Sequence, residues 1–292
     1  MKSIREIYKI GKGPSSSHTM GPERAARLFR GEHPEADAFR VILYGSLSKT
    51  GVGHGTDRVL RETLAPCPTK IVFSEEVLSG AHPNTMDFIA LKEGSEIGRL
   101  RVESIGGGDI RIPGRRDTDA EEVYVEHSFA EIADFCKWRY IHTLSDYVEL
   151  NEGPEIWDFL QEVWQVMKRS IDEGLAASGV LPGGLNVQRK AKFLYEQTPD
   201  AHIPALNEFQ QIAAFAYAVA EQNADNGTIV TAPTCGACGV LPAVLKYAQV
   251  TRDFTDAQIC RGLATAGIIG NLTKSNASIS GAECGCQAEI GT

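Results

Sequence analysis

The sequence lacks an excess of basic residues. It carries 29 Lys and Arg against 38 Asp and Glu, for a net charge of -9, whereas a protein that binds nucleic acid needs clustered positive charge. It also lacks any run near the roughly 18 apolar residues of a membrane-spanning helix, and the opening MKSIREIYKI lacks the layout of a signal peptide. We therefore expect a cytoplasmic protein whose partner is a small molecule, with no nucleic acid and no membrane.

A paired set of cysteines is missing as well. The 7 cysteines are an odd number, spread over 292 residues, which argues against a disulfide framework and leaves thiols or metal ligation. Cys235 and Cys238 are spaced C-x-x-C, and Cys284 and Cys286 lie one residue apart. The C-x-x-C pair fits a redox pair, half of a zinc site, or buried inert thiols at the start of a helix.

The sequence divides into two regions with different residue patterns. Hydrophobic residues make up 42% of the chain, enough for two domains with cores of their own. Up to residue 128, short runs of branched and aromatic residues alternate with Gly, Pro and Asn, which predicts an α+β domain. Its predicted strands lie at 39–47, 69–76, 87–94, 98–110 and 121–129, and its predicted helices begin near Pro22 and Thr56. Over residues 129–292 apolar residues recur at helical spacing, which predicts an all-α second domain.

The segment GKGPSSSHTMGPERAA, residues 11–26, places Ser16, Ser17, His18 and Thr19 directly before a predicted helix. Unpaired N–H groups and the positive end of the helix dipole attract an anion at such a position. A carboxylate or a phosphate fits there. A capped helix that follows a solvated serine loop accounts for the same residues.

His54 lies in a glycine-rich segment, YGSLSKTGVGHGTDRVL, that follows a predicted strand. The segment lacks the Lys-Ser/Thr pair of a phosphate-binding loop. A histidine in such a loop is often only a turn residue, yet histidine is also the commonest acid or base near neutral pH. His54 and His18 are therefore both candidate catalytic residues.

Polar side chains surround the last two cysteines. Asn276 and Ser278 precede Cys284 and Cys286 in the segment TKSNASISGAECGCQAEIG. Polar groups beside thiols fit a metal or cluster site better than a core.

Five segments occur in a fixed order along nearly the whole chain: IYKIGKGPSSSHTMGPERAA, LYGSLSKTGVGHGTD, LPGGLNVQRKA, VTAPTCGACGVLPAVL and NASISGAECGCQAEIG. Together they resemble the iron–sulfur-dependent L-serine dehydratases, also called L-serine ammonia-lyases. The resemblance implies conversion of L-serine to pyruvate and ammonia with a 4Fe–4S cluster and without pyridoxal phosphate. An iron with an open position would act as a Lewis acid on the serine hydroxyl while a base removes the α-proton.

The resemblance also implies roles for single residues. His54 is the candidate base or a substrate contact, which requires the first domain to pack on the second, and His18 shares that candidacy. The implied substrate-binding residues are Ser16, Ser17, Thr19, Asn276 and Ser278. Cys286, in the GCQ element, is the implied cluster ligand, and the weaker alternatives are Cys284, Cys235 and Cys238.

In the family as it aligns here, the chain continues beyond the position of Thr292, and two further ligand cysteines lie in that part. We therefore expect this chain alone to hold no complete cluster, and we expect a homo-oligomer or a partner chain that supplies the missing part. Two alternatives belong to other classes of protein. One is a non-catalytic L-serine-binding module, and the other is a zinc protein built on Cys235, Cys238, Cys284 and Cys286.

Overall fold

The computed structural model describes residues 1–115, 122–198, 202–277, 279 and 285–290. They form two compact units. The sheet unit comprises the described residues of 14–119 and 280–285, and the helical unit comprises residues 1–13 with the described residues of 120–279 and 286–292. The predicted order, an α+β region followed by an all-α region, is confirmed. The predicted domain limits, 1–128 and 129–292, stay a prediction.

In chain order the strands are β1 (Ile10–Lys12), β2 (Ala38–Leu43), β3 (Thr69–Phe73), β4 (Thr85–Lys92), β5 (Ser95–Gly106), β6 (Asp109–Arg111) and β7 (Thr228–Val230). The helices are α1 (Gly21–Glu32), α2 (Gly45–Thr50), α3 (Thr56–Leu64), α4 (Phe129–Arg139), α5 (Leu144–Glu152), α6 (Ile156–Ala176), α7 (Ala191–Tyr195), α8 (Pro204–Ala224), α9 (Val240–Arg252), α10 (Asp256–Asn276) and α11 (Gln287–Ile290). None of the described helices is both long and apolar enough to cross a membrane.

The sheet unit is built on five strands in the order β3-β2-β4-β5-β6. β2 and β3 run parallel, and the other neighbouring strands run antiparallel. A parallel pair needs a crossover connection, and α2 and α3 lie in the one between β2 and β3. The loop that carries His54 belongs to this crossover, so the topology fixes where it lies relative to the ends of the strands.

The core of the sheet unit lies between the sheet and helices α1 and α3. Val41 of β2 pairs with Ile71 of β3 and with Phe88 of β4, and side chains of β2 and β4 meet Phe29 of α1 and Leu60 of α3 in one apolar cluster. Phe29 and Leu60 are fully buried. Helix α1, which begins directly after the serine segment, is therefore anchored on the sheet by its apolar side.

The helical unit has its own apolar core. Helix α6 contributes a row of buried side chains to this core, among them Ile156, Leu160, Val163, Met167 and Ile171. Their spacing of three or four residues keeps them on one side of the helix. They pack with buried residues of α5 and α10, among them Tyr147 and Leu263.

The N-terminal residues belong to this helical core. Met1, Ile4, Ile7 and Tyr8 are buried in the same cluster as α6 and α10. The Tyr8 hydroxyl donates to the carbonyl oxygen of Leu263 at 2.7 Å. Strand β1 then pairs antiparallel with β7, so the start of the chain is held at both its apolar side chains and its backbone.

The predicted strand at 121–129 is wrong. Residues 122–128 form no strand, and α4 begins at Phe129. The backbone N–H groups of Val123 and Tyr124 both donate to the carbonyl oxygen of Met1, and the N-terminal ammonium group donates to the carbonyl oxygen of Tyr124. The branched and aromatic residues here therefore belong to a short extended segment whose backbone bonds to the N-terminus and not to a neighbouring strand.

Candidate active site

The serine segment forms a single wide helical turn, with π-helical hydrogen bonding, over Ser16–Met20, and it runs directly into α1. Ser15 caps the turn, because its Oγ accepts from the backbone N–H of His18 at 3.1 Å. Ser16, Ser17, His18 and Thr19 are buried. The alternative of a solvated serine loop is therefore wrong, and we call these residues the serine turn.

A glycine allows the serine turn to lie against the sheet. A Cβ added to Gly21 would lie 2.1 Å from the Ser104 hydroxyl oxygen on β5. Any side chain at this crossing of helix and strand forces Ser104 to move. Gly21 therefore sets how closely the serine turn approaches the sheet.

His18 is buried, with 5% of its surface exposed, and each of its ring nitrogens lies beside a hydroxyl. Nδ1 is 3.0 Å from Ser17 Oγ, and Nε2 is 3.0 Å from Ser46 Oγ. Burial, and secondly the charge of His54, lower the pKa of His18 to about 4. The imidazole is therefore neutral near pH 7 and forms hydrogen bonds with two serines without carrying charge.

His54 is half-buried and lies beside His18. The two ring centroids are 4.6 Å apart with the planes tilted by 33°. His54 Nδ1 is 2.9 Å from the carbonyl oxygen of Thr50. Because a carbonyl only accepts, Nδ1 carries the hydrogen of the neutral ring, and Nε2 carries the lone pair. The structure thus brings the two predicted histidines together and makes Nε2 of His54 a basic atom.

Ser46 was not among the residues that the sequence indicated, and it lies in the first turn of α2, which contacts the backbone of Pro83. Gly45 has φ of +51°, and a Cβ there would lie 2.4 Å from the carbonyl oxygen of Pro83. Ser46 N–H donates to the same oxygen at 2.8 Å. The preceding residue, Tyr44, donates its hydroxyl to the buried Asp87 carboxylate at 3.1 Å. The sequence signal was available, because Ser46 lies in the same glycine-rich segment as His54.

The second cluster of candidate residues lies in the helical unit, where the C-x-x-C segment precedes α9 and Cys286 precedes α11. Cys235 and Cys238 are each 2% exposed, and Cys286 is half-buried. A Cβ on Gly236 would lie 2.8 Å from Cys286 Sγ, so the absence of a side chain there lets Cys286 pack against the backbone of the C-x-x-C segment. Cys284 lies outside the described residues.

The two thiols of the C-x-x-C pair are protonated. Burial raises the pKa of Cys238 to about 12. Burial, together with the charges of Cys238 and Glu289, raises the pKa of Cys235 well above its usual value. This state agrees with the interpretation of the pair as buried thiols before a helix, since a reactive cysteine needs a lowered pKa.

Glu289 of α11 reaches the same segment, and sequence reasoning missed it. The backbone N–H of Thr234 donates to Glu289 Oε1 at 3.0 Å, and the Thr234 hydroxyl donates to the same oxygen. Glu289 Oε2 is buried and accepts no hydrogen bond from the described residues. Burial raises the pKa of Glu289 to about 7, against the lowering effect of Thr234. A carboxyl group three residues after an implied metal ligand was the signal that could have found it.

The described residues do not by themselves fit a 4Fe–4S cluster. Within them, no group of three or more His, Cys, Asp or Glu side chains is arranged to hold a metal ion. The same observation does not favour the zinc alternative.

The described hydrogen bonds of Asn276 go to backbone carbonyl groups. Asn276 Nδ2 donates to the carbonyl oxygen of Leu272, one turn back on α10, at 2.8 Å, and lies 3.4 Å from that of His127. Ser278 lies outside the described residues. A role for either residue in substrate binding stays a prediction.

Two family models match the chain. The model of the serine dehydratase beta chain matches residues 3–66, and the model of the serine dehydratase alpha chain matches residues 71–292. The chain belongs to the serine dehydratase family. The beta-chain match of that family contains His18 and His54, and its alpha-chain match contains the cysteines from Cys235 to Cys286.

Curated members of the serine dehydratase family match over the full length of the chain. L-serine dehydratase TdcG of Escherichia coli (strain K12) is 35% identical over 345 residues, which cover 100% of this chain and 76% of that protein. The L-serine dehydratase of Haemophilus influenzae is 34% identical over 346 residues, with the same two shares. The L-serine dehydratase of Streptomyces coelicolor is 34% identical over 345 residues, which cover 99% of this chain and 75% of that one.

Proposed function

We propose that this chain converts L-serine to pyruvate and ammonia. The observation that carries the proposal is the pair of His54 and His18 in the segment that the serine dehydratase beta-chain model matches. The names of the curated relatives, all L-serine dehydratases, support the same substrate. A non-catalytic serine-binding module is less well supported, because a protein that only binds serine does not require a general base such as His54 beside a second histidine.

In the proposed reaction, Nε2 of His54 takes the α-proton of L-serine. The electron pair of the Cα–H bond forms a Cα–Cβ double bond as the Cβ–O bond breaks, and the hydroxyl leaves as water once it has gained a proton. The aminoacrylate then tautomerises to an imine, which water hydrolyses to pyruvate and ammonia. The hydrogen bond from Nδ1 to Thr50 supports this role, because it leaves the basic lone pair on the other nitrogen.

The serine turn is the proposed binding site for the substrate carboxylate. Ser16 and Ser17 begin the helical turn that runs into α1, and the start of such a continuous helical segment attracts an anion. His18 is held between two hydroxyls and contributes hydrogen bonds as a neutral ring. The hydroxyl of Thr19 donates to the carbonyl oxygen of His54 at 3.0 Å, so Thr19 contributes to binding by holding the turn in place.

The activity is tested with a pyruvate assay on the full chain after anaerobic reconstitution with iron and sulfide. The proposal predicts turnover of L-serine, which would also overturn the expectation that this chain alone holds no complete cluster. His54→Asn should then lower kcat by about 10²- to 10⁴-fold, the usual contribution of a general base. His142→Asn is the control, because His142 is exposed. Equal kcat for His54→Asn and the unmutated chain would show that His54 is not the base. No turnover in the unmutated chain would contradict the proposed activity itself.

Iron–sulfur dependence is a further part of the proposal, and it rests on the family resemblance. Cys286 is the proposed ligand, because it is half-buried and precedes a helix N-terminus, whereas the neighbouring pair is fully buried. Iron and acid-labile sulfide are measured in the reconstituted chain and in two variants. Cys286→Ser should lose bound iron, and Cys67→Ser, whose thiol lies in the sheet unit, should not. Unchanged iron in Cys286→Ser would exclude it as a ligand.

A further inference from the structure

Two threonine hydroxyls connect the backbones of the two histidine segments. Thr56 Oγ1 donates to the carbonyl oxygen of His18 at 2.6 Å. Thr19 Oγ1 donates to the carbonyl oxygen of His54 at 3.0 Å. Each segment therefore carries one histidine and one hydroxyl that binds the backbone of the other histidine.

We propose that Thr56 is a positioning residue, which holds the rings of His18 and His54 at their working separation through the carbonyl group of His18. The inference rests on the proposed function, in which His54 is the base and His18 its hydrogen-bonding neighbour. Thr56 touches neither ring in the described contacts, and its effect on the rings passes through the backbone.

The hydroxyl of Thr56 is held rigidly enough for this role. Thr56 is fully buried and is the first residue of α3. Its backbone N–H donates to the carbonyl oxygen of Gly51 at 2.9 Å. The preceding Gly55 has φ of +65°, a conformation that glycine adopts without strain. The backbone of Thr56 is thus fixed on the loop of His54 while its side chain reaches the segment of His18.

One ring hydrogen bond also crosses between the two histidine segments. His54 Nδ1 bonds to Thr50 on its own segment, whereas His18 Nε2 lies 3.0 Å from Ser46 Oγ on α2, in the segment of His54. This contact fixes the ring of His18 through a side chain. The two threonine hydrogen bonds instead hold the backbones from which the two rings project, and the rings lie 4.6 Å apart.

Three helical threonines make a different bond. Thr50, Thr63 and Thr265 each donate the hydroxyl to the carbonyl four residues earlier on their own helix. The bond from Thr56 spans 38 residues, and that from Thr19 spans 35. A helix needs no such long-range bond, since its first-turn threonine can point to solvent or cap locally. Thr231 also makes a long-range bond, to the carbonyl oxygen of Ile7, but the bonds of Thr56 and Thr19 are reciprocal and join the two histidine segments.

The test uses three variants of the full chain. Thr56→Val removes the hydroxyl at nearly constant volume, and Thr56→Ser keeps it. Thr63→Val is the matched control, because Thr63 lies on the same helix and its hydroxyl binds only within that helix. Selective labelling of the histidine rings allows NMR cross-relaxation between the ring protons of His18 and His54 to be measured without substrate or cofactor.

We expect Thr56→Val to lose the cross-relaxation between the rings and to lower kcat by about 10- to 100-fold with KM within about threefold, as expected for misplacement of a base. Thr56→Ser and Thr63→Val should keep the signal and stay within about threefold of the unmutated kcat. If Thr56→Val does not fold, Thr56→Ala removes the same hydroxyl without placing a new methyl group beside a carbonyl.

Two results overturn the inference. One is a Thr56→Val or Thr56→Ala chain that keeps ring cross-relaxation and kcat while its melting temperature falls, since Thr56 would then serve stability alone. The other is an equal loss of kcat in Thr63→Val. If the unmutated chain shows no turnover, the proposed function fails, whereas the NMR comparison still decides whether Thr56 holds the rings together.

Discussion

His18 makes the stability of the sheet unit depend on pH. Its pKa is about 4 in the folded chain and about 6.5 in an unfolded chain. Between these values the unfolded state binds a proton that the folded state does not bind, so the free energy of unfolding rises with pH. The contribution is present above pH 6.5 and is lost progressively as the pH falls toward 4.

We therefore expect the His18 contribution to the free energy of unfolding to fall by about 2 kcal/mol between pH 7 and pH 5. Denaturant unfolding at both pH values measures the change. His18→Gln should show less pH dependence than the unmutated chain by about that amount, and the control His142→Gln should show none of this reduction, because His142 is exposed. The same pH dependence in His18→Gln and the unmutated chain would mean that His18 is charged in the fold.

At the scale of single residues, the sequence indicated the histidines and left out the residues that hold them. His18 and His54 stand out because each follows a run of serines or glycines. Ser46 and Thr56 do not stand out in the sequence, because their common partner, His18, lies 28 and 38 residues away from them. Such contacts depend on how the crossover between β2 and β3 folds. The glycine-rich segment contains Ser46, but no local pattern shows which distant group each hydroxyl reaches.

At the scale of helices, Gly174 controls the packing of α6 on α8. A Cβ there would lie 2.3 Å from the carbonyl oxygen of Ala218 and 2.7 Å from its Cα. These are backbone atoms, which cannot rotate out of the way, so any side chain at Gly174 forces the two helices apart. The close crossing therefore requires a glycine.

Gly174→Ala should lower the free energy of unfolding by about 1–3 kcal/mol, the usual cost of overpacking. Gly31→Ala is the contrasting variant, because Gly31 is also helical, on α1, and has no atom within 4 Å of an added Cβ. It should raise stability by up to about 1 kcal/mol through the helix propensity of alanine. Denaturant unfolding measures both. An unchanged free energy of unfolding in Gly174→Ala would mean that α6 and α8 can move apart without loss of stability.

Asp256 ties three helices together at the start of α10. Its carboxylate accepts from Trp164 Nε1 at 3.0 Å and Lys168 Nζ at 2.8 Å on α6, and from Gln249 Nε2 at 2.8 Å on α9. The hydrogen bond from Lys168 is the main cause of a pKa well below the usual value for this carboxyl. This contribution to stability is therefore present above about pH 4 and is lost below it.

Asp256→Asn should cost about 1–3 kcal/mol, because one acceptor oxygen becomes a donor that faces an ammonium group. Thr255 and Gln258 form the capping box of α10, so the helix start itself stays intact. Asp172→Asn, at an exposed position on α6, is the control and should change stability by less than about 0.5 kcal/mol. Thermal unfolding compares the two variants, and equal effects would remove the carboxylate network as the cause.

The sequence predicted elements where local signals agree and missed them where distant contacts decide. Helices α1 and α3 begin near Pro22 and Thr56, as predicted, and for α1 the first-turn proline is a local signal. The predicted strand at 39–47 ends early, at Leu43, because Gly45 turns the chain into α2. At 121–129 the residues favour a strand, but the N-terminus of the chain takes up their hydrogen bonds.

At the scale of the whole molecule, the chain begins in the helical unit, enters the sheet unit and returns. The residue pattern of the sequence assigns residues 1–13 to the same domain as the strands that follow them. The contacts of those residues lie elsewhere: a Cβ on Gly267 of α10 would meet Ile4 and Tyr8 at 3.1 Å, and one on Gly270 would meet Ile7 at 3.2 Å. These glycines leave room for the N-terminal residues along α10, and no pattern within residues 1–13 reveals it.

The N-terminal residues should therefore hold the helical unit together as core residues do. Ile4→Ala is expected to lower the free energy of unfolding by about 2–5 kcal/mol, because Ile4 is fully buried against α10. Ile10→Ala is the matched control, since Ile10 is 40% exposed on β1, and should cost less than about 1 kcal/mol. Denaturant unfolding followed by helical circular dichroism measures both. If Ile4→Ala loses as little stability as Ile10→Ala is expected to lose, the N-terminal residues lie on the helices without stabilising them.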